Sequence, residues 1–234
     1  GCCLADDMGL GKTIQLISLI LHHKEKNEAL GTFDSRPTLL FAPMSVIDNW
    51  EREVKKFAPS LSTYIHHGGL RASDLTEAIN SSDIVITTYS LAHRDEDLLS
   101  SHQWAKIVLD EAQNIKNLGS KQTQSIRRIA SSQDAYHPNG PCSRIALTGT
   151  PLENHLEELW SLFDFLIPGL LGTLSEFRSQ FVVPIERYKD EKASTRLATV
   201  VRPFLLRRLK TDDKIAPDLP EKIEREEFVS LSTE

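Results

Sequence analysis

Two glycines, a lysine and a threonine stand together near the start of the chain, at Gly9, Gly11, Lys12 and Thr13. A loop that wraps a polyphosphate needs residues without a Cβ, because its backbone N–H groups must point inward, and a following helix adds the positive end of its dipole. In such a loop the lysine reaches the β- and γ-phosphates and the next hydroxyl holds Mg²⁺. The pattern predicts ATP and Mg²⁺ as cofactors. The predicted nucleotide-binding residues are Asp7, Met8, Gly9, Leu10, Gly11, Lys12 and Thr13.

One position departs from the general phosphate-loop pattern. That pattern has a glycine five positions before Gly11, where this chain has Asp6, so an ordinary glycine-rich turn is the alternative. The surroundings of the loop favour the nucleotide site. An apolar run precedes it, and Ile14, Ile17 and Leu21 follow at helical spacing, which predicts a buried strand that turns sharply into a helix.

A second chemical pattern is an apolar strand that ends in two carboxylates, Asp110 and Glu111. Such a pair carries a desolvation cost unless it meets a cation, and Mg²⁺ is one. We predict that Asp110 binds the metal together with Thr13, and that Glu111 orients or deprotonates the attacking water. Surface carboxylates are the alternative for the pair alone, but its occurrence with the lysine-threonine loop favours a catalytic site.

Composition limits the class of protein. The chain has 234 residues, 40% of them hydrophobic, which suits one large α/β domain, and no apolar run approaches the roughly 18 residues of a membrane span. The net charge of −6 argues against indiscriminate nucleic-acid binding. Three cysteines without metal-ligand spacing favour a reducing, intracellular location. The sequence begins inside the predicted phosphate-binding strand, so we expect further residues upstream.

Short β-rich runs alternate with helical patterns along the rest of the chain. The predicted strands are Thr38–Ala42, residues 62–67, 83–88 and 105–110, and Ser143–Leu147. This alternation predicts an α/β fold with a doubly wound, mostly parallel sheet. Ligands of such sheets bind at the carboxyl ends of the strands, and both chemical patterns above follow a predicted strand.

One amphipathic helix is predicted after the strand Thr38–Ala42. Val46, Trp50, Val54 and Phe57 fall on one helical face and are expected to pack against the sheet. Ser45 and the acidic residue three positions later have the spacing of a capping box. The sequence therefore predicts that Ser45 begins this helix.

Four segments resemble, in this order, the first motor lobe of the Swi/Snf-type DNA-translocating ATPases of helicase superfamily two. They are ADDMGLGKT, DEAQNIKN, ALTGTPLENHLEELWSLFDFL and PFLLRRLKTD. The resemblance covers nearly the whole chain and implies a RecA-like P-loop NTPase fold. Members usually carry an aspartate at the position of Asp6. Many have histidine where this chain has Gln113, which we include among the catalytic residues, and this DEAQ sequence in a short lobe is more like bacterial or archaeal members.

The same resemblance implies contacts to DNA at other strand ends. The residues expected to contact the DNA backbone are Pro43, Ser45, Thr88 and Tyr89, and those expected to couple the nucleotide site to DNA are Thr148, Gly149 and Thr150. For Ser45, a simple helix cap is the alternative. The implied partners are double-stranded DNA, a second RecA-like lobe and a DNA-bound protein target, with no membrane.

The resemblance also divides the chain. Residues 1–166 are expected to form the lobe core, 167–200 a helical protrusion, and 201–234 a return to the lobe and a connector toward the second lobe. For the basic run RRLK at 207–210 a solvated helix face is the alternative. The predicted function is an ATP-dependent translocase on duplex DNA. Another superfamily-two helicase or restriction-type translocase, or a non-hydrolysing ATP-binding module, is the alternative, although intact Lys12, Asp110 and Glu111 argue against the last.

Overall fold

A single parallel sheet organises the protein, as the computed structural model shows for residues 1–31, 34, 36–70, 73–134, 137–151, 155–212 and 215. The sheet strands are β1 (Cys2–Leu4), β2 (Thr38–Ala42), β3 (Thr63–His66), β4 (Ile84–Thr88), β5 (Lys106–Asp110), β6 (Ser143–Leu147) and β7 (Leu205–Leu206). Their order in the sheet is β3-β4-β2-β5-β6-β1-β7, and every pairing among them is parallel. The predicted doubly wound α/β fold is confirmed.

Helices cover both faces of the sheet. The α-helices are α1 (Lys12–Leu30), α2 (Ile47–Phe57), α3 (Thr76–Ser81), α4 (Tyr89–Arg94), α5 (Glu96–Ser100), α6 (Lys121–Ser131), α7 (Leu156–Leu166), α8 (Leu174–Phe177) and α9 (Glu191–Val201). Strand β2 shows how the layers form: Leu39 and Phe41 pack with α4–α7, whereas Leu40 and Ala42 pack with α1 and α2. All residues of β2 are buried, because a central parallel strand is covered on both faces.

A third apolar cluster lies outside the sheet layers. Phe163 of α7 packs there with Phe177, Phe181 and Leu197, which come from α8, the π-helical stretch Arg178–Arg187 and α9. The segment predicted as a helical protrusion is therefore helical, while its boundaries at 167 and 200 stay predictions. The part of the predicted connector toward the second lobe that follows residue 215 lies outside the described residues.

Two details of the predicted α2 are wrong. The helix has Val46 as its N-cap, without a side-chain cap, because Ser45 lies in a preceding 3₁₀ turn, Met44–Val46, closed by a bond from the Val46 N–H to the Pro43 carbonyl (3.0 Å). The alternative that Ser45 merely caps α2 is therefore excluded. Phe57, at the last turn, is exposed rather than packed on the sheet, because the buried face consists of Ile47, Trp50 and Val54 and continues to Ala58 instead.

Candidate nucleotide-binding site

The pairing of three strands places the two predicted chemical patterns at one edge of the sheet. Leu4 of β1 is in register with Leu147 of β6, and Leu147 is in register with Asp110 of β5. The phosphate loop follows Leu4, and Thr148 follows Leu147. The loop, the adjacent carboxylates and the predicted coupling residues therefore begin at the same level of the sheet, at its carboxyl edge.

The loop before α1 has the backbone that its glycines predict. Gly9 and Gly11 have φ angles of 82° and 78°, a left-handed region that glycine enters without a Cβ penalty. Helix α1 starts at Lys12, so its free N–H groups face the loop. The Lys12 ammonium donates to the carbonyl oxygens of Asp6 (2.7 Å) and Asp7 (3.3 Å), contacts that a phosphate oxygen could replace.

Asp110 accepts hydrogen bonds from three donors. The indole Nε1 of Trp50 donates to Asp110 Oδ2 (2.7 Å), and the Glu111 N–H donates to Oδ1 (3.0 Å). The hydroxyl of Tyr89 donates to the Asp110 carbonyl oxygen (2.6 Å). Burial raises the pKa of Asp110, against the opposing effects of the Trp50 bond and the Lys12 charge. Lys12 is thus close enough to act electrostatically on the second pattern.

The oxygen atoms of Thr13 and Asp110 suit Mg²⁺. Within the residues that the structure describes, no cluster of three or more His, Cys, Asp or Glu side chains could hold a metal by itself. Mg²⁺ is usually held by one or two protein oxygens together with substrate phosphates and water. Thr13, the second residue of α1, and Asp110 would supply such oxygens.

Glu111 stands in a conformation that is rare for its residue type. Its φ of 52° and ψ of 56° lie in the left-handed region, which costs a non-glycine residue roughly 1–3 kcal/mol and is concentrated at functional sites. Gln113 donates from Nε2 to Glu111 Oε2 (2.8 Å) and accepts at Oε1 from the Thr148 hydroxyl (2.9 Å). The Thr150 N–H donates to that same Thr148 hydroxyl oxygen (3.1 Å). A continuous chain of hydrogen bonds therefore joins the predicted water-activating carboxylate to the loop after β6.

The basic run at 207–210 forms no helix, so the solvated-helix alternative is wrong. It continues the parallel pairing of β7 along the phosphate loop, with bonds from the Ala5 N–H to the Leu206 carbonyl (2.7 Å) and from the Asp7 N–H to the Arg208 carbonyl (3.1 Å). Arg207 donates to the Gly149 carbonyl (3.2 Å). The segment therefore contacts both the phosphate loop and the loop after β6.

Asp6 is the main partner of this basic segment. Its carboxylate is fully buried and accepts from the Arg208 backbone N–H (2.9 Å) and from the Arg208 guanidinium, which also donates to Gln15 Oε1 (2.7 Å). Burial by itself would raise the pKa of Asp6, but the bonds from Arg208 and Gln15 outweigh it and lower the pKa. Asp6 in place of a glycine is therefore explained by a structural ion pair.

The contact of Arg208 with Asp6, and those of Trp50 and Tyr89 with Asp110, were not predicted from the sequence. For Arg208 a signal existed, since a carboxylate that follows a buried strand needs a cationic or hydrogen-bonding partner, and that argument applies to Asp6 as it does to Asp110. For Trp50 the amphipathic pattern predicts only burial, and for Tyr89 the family resemblance implies only a DNA contact. Nothing local indicates which polar group their N–H and O–H would reach.

Comparison with known proteins decides the family. The whole chain, residues 1–234, matches the SNF2-related domain. The chain belongs to this family. The SNF2-related domain is 48% identical over 236 residues to the putative ATP-dependent helicase/translocase YwqA of Bacillus subtilis, a match that covers 100% of the domain and 24% of that relative. It is 37% identical over 246 residues to the TATA-binding protein-associated factor MOT1 of Saccharomyces cerevisiae, covering 97% of the domain and 12% of that protein.

A solved structure agrees with the fold. The Sulfolobus solfataricus SWI2/SNF2 ATPase core in complex with dsDNA matches with a TM-score of 0.78 and 42% identity, over 94% of the SNF2-related domain and 42% of that core. The predicted family and the RecA-like fold are confirmed. The domain spans less than half of the length of each of these proteins. No helix among its described residues is long and apolar enough to cross a membrane.

The residues predicted to contact or couple to DNA in the SNF2-related domain differ in accessibility. Ser45 is exposed and Pro43 half-buried, and the Ser45 hydroxyl makes no hydrogen bond within the described part of the chain. Thr88 and Tyr89 are buried. In the predicted coupling segment Thr148 is buried, Gly149 is half-buried and Thr150 is exposed.

Replacing Arg208 in the SNF2-related domain by glutamine should destabilise it. Removing one partner of a fully buried pair costs about 3–5 kcal/mol, and because 35% of the Arg208 side chain is exposed we expect a loss of about 1–3 kcal/mol in the free energy of unfolding. Since the native pKa of Asp6 is lowered, the stabilisation is complete above the ordinary aspartate pKa and is lost as the pH falls through the lowered value. Urea unfolding from neutral to acidic pH measures this.

Arg178→Gln is the control for that measurement. Arg178 also makes a two-bond pair, with Glu157 (2.7 and 2.8 Å), but both side chains are more exposed. The free energy of unfolding lost in Arg178→Gln should be clearly smaller than that lost in Arg208→Gln. Equal losses of unfolding free energy in the two variants would contradict the role given to Arg208. A difference between the two losses that does not change with pH would contradict it as well.

Proposed function

We propose that this chain is the first motor lobe of an ATP-dependent double-stranded-DNA translocase of the Swi/Snf type, which hydrolyses Mg-ATP together with a second RecA-like lobe. The observation that carries the proposal is the register of Leu4, Leu147 and Asp110. It sets the phosphate loop, the adjacent carboxylates and the loop after β6 side by side. The SNF2-related family, and a structural relative described with bound dsDNA, support DNA as the track.

The residues of the phosphate loop bind and orient ATP in this proposal. The N–H groups of residues 7–13 and the N-terminus of α1 surround the phosphates, and Lys12 exchanges its loop carbonyl contacts for the β- and γ-phosphates. Mg²⁺, when held by Thr13 and Asp110, neutralises charge that develops on the phosphates. The transfer needs little covalent help from the protein beyond this positioning.

Glu111 directs the attacking water. Its left-handed backbone and the bond from Gln113 fix the direction of its carboxylate, so that the water can be held in line with the γ-phosphate. Gln113 takes a place that histidine occupies in many members of the family. Its amide can donate to Glu111 and accept from Thr148 at the same time, without any change of protonation.

DNA contact is proposed for Pro43, Ser45, Thr88 and Tyr89. The exposed Ser45 hydroxyl, in the 3₁₀ turn before α2, is free to donate to a DNA phosphate. The buried Thr88 and Tyr89 would set the backbone of their turn. Thr148, Gly149 and Thr150 would report the nucleotide state, because Thr148 bonds to Gln113 and Gly149 to Arg207.

The proposal predicts that duplex DNA stimulates ATP hydrolysis by the full-length protein that carries this chain. Phosphate release is measured without nucleic acid, with duplex DNA and with single-stranded RNA, at low salt, because backbone contacts weaken as salt rises. Lys12→Ala is the control variant and should lose the stimulated rate. The loss of a charge-assisted contact of about 2–3 kcal/mol corresponds to roughly 30–150-fold weaker nucleotide binding.

Two results would contradict the proposal. Stronger stimulation by RNA than by duplex DNA would indicate another kind of superfamily-two enzyme. Hydrolysis that is absent under all conditions, with ATP still bound, would indicate a non-hydrolysing module.

A further inference from the structure

Two helices reach the same catalytic strand end from different sides. Trp50 belongs to α2 and is 1% exposed, and Tyr89 is the first residue of α4 and is 5% exposed. Trp50 donates to the side chain of Asp110 (2.7 Å) and Tyr89 to its main-chain carbonyl (2.6 Å). Two short bonds from buried donors therefore end on one residue.

Each of these helices begins at a turn to which DNA contact is assigned above. Ser45 lies in the 3₁₀ turn that leads directly into α2, and Trp50 follows within the first turns of that helix. Tyr89 comes directly after Thr88, the last residue of β4. A shift of either turn against the DNA backbone would therefore move a donor of Asp110, since helices transmit displacement as rigid elements.

The bond from Trp50 also fixes the orientation of the Asp110 carboxylate. Tryptophan Nε1 can only donate, and here it donates to Oδ2 (2.7 Å). The Glu111 N–H donates to Oδ1 (3.0 Å). With both oxygens so engaged, the rotation of the carboxylate depends on where α2 lies.

We propose that Trp50 and Tyr89 are positioning residues that connect the two DNA-contact turns to the magnesium carboxylate Asp110, so that DNA binding tightens the metal site. The inference rests on the proposed function above, both for the metal role of Asp110 and for DNA as the track. Packing of the core is the competing explanation for both aromatic residues.

Trp104 provides a matched control for Trp50. It is 0% exposed, and its Nε1 donates to a buried partner at a similar distance, the Leu99 carbonyl oxygen (2.8 Å). Trp50→Phe and Trp104→Phe therefore each remove one buried indole N–H bond and the same ring volume. They differ in that only Trp50 bonds to Asp110.

The experiment measures ATP hydrolysis by the full-length protein as Mg²⁺ is titrated, with and without duplex DNA, and measures duplex-DNA binding separately. Trp50→Phe should raise the Mg²⁺ concentration for half-maximal hydrolysis by about 10-fold or more, the scale seen when an outer-shell partner of a metal ligand is removed. It should also reduce the stimulation by DNA while DNA affinity is kept. Trp104→Phe should leave the Mg²⁺ requirement and the stimulation within about twofold of wild type, because its bond lies outside the site.

Tyr89→Phe tests the bond from Tyr89 to Asp110 by removing only a hydroxyl group. If Trp50→Phe does not fold, Tyr89→Phe provides the test of the inference. It should shift the Mg²⁺ requirement and the DNA stimulation in the same direction. A Trp50→Phe protein that matches Trp104→Phe, or a Tyr89→Phe protein with wild-type values when Trp50→Phe does not fold, overturns the inference. Absence of DNA stimulation in the wild-type protein would instead overturn the proposed function.

Discussion

Glu111→Gln is expected to lower ATP turnover by at least about 10²-fold while Mg-ATP remains bound. Glutamine keeps the size and one oxygen of the side chain but cannot accept a proton from water. The bond between Gln113 and Glu111 Oε2 (2.8 Å) can persist to the amide oxygen, so the loop should keep its shape. The measurement is phosphate release at saturating ATP and DNA in the full-length protein, with nucleotide affinity from titration calorimetry.

Asp110→Asn distinguishes the role of Asp110 from that of Glu111. Because Asp110 is assigned to the metal, its amide variant should weaken Mg²⁺-dependent nucleotide binding itself, whereas Glu111→Gln should not. Equal loss of binding in both variants, with a normal rate for each ATP that still binds, would show that the roles are assigned wrongly.

The 234 residues alone are expected to hydrolyse ATP about 10³–10⁵-fold more slowly than the full-length protein in the presence of duplex DNA. That factor is the known effect of an arginine supplied across a cleft in phosphoryl transfer, and the proposed second lobe would supply it. Translocation further requires two bodies that open and close against each other. The isolated chain should bind duplex DNA weakly and with strong salt dependence.

The comparison needs a folded isolated chain, which a cooperative unfolding transition would establish. Phosphate release is then measured at low salt for the isolated and full-length proteins, each with and without duplex DNA. Strong DNA-stimulated turnover by the folded isolated chain would mean that its own residues complete the site. The two-lobe mechanism would then be wrong for this protein.

The sheet and the phosphate loop could be predicted because their signals are local. The five strands predicted downstream of the loop are all present, since apolar runs of only five or six residues have the length of a strand rather than of a helix. Gly9 and Gly11 reveal a left-handed backbone by residue type alone. Ser45 shows the limit of local patterns, because Pro43 starts a 3₁₀ turn that takes the place of the expected cap.

The contacts around the site could not be predicted, because they join distant parts of the chain. Trp50 and Asp110 are 60 positions apart, and Tyr89 and Asp110 are 21 apart. Glu111 gave no sign of its left-handed backbone, since glutamate rarely adopts it. Only the fold, which brings strand ends to one edge, determines these neighbours.

The pair of Asp6 and Arg208 has a consequence for when the phosphate loop can be completed during synthesis. Its members are 202 positions apart, and β1, which leads into the phosphate loop, lies between β6 and β7 in the sheet. At about 5–20 residues per second, a ribosome needs roughly 10–40 s to add the residues between them. During that time Asp6 lacks its native partner Arg208. The phosphate loop is thus synthesised well before the segment that completes it.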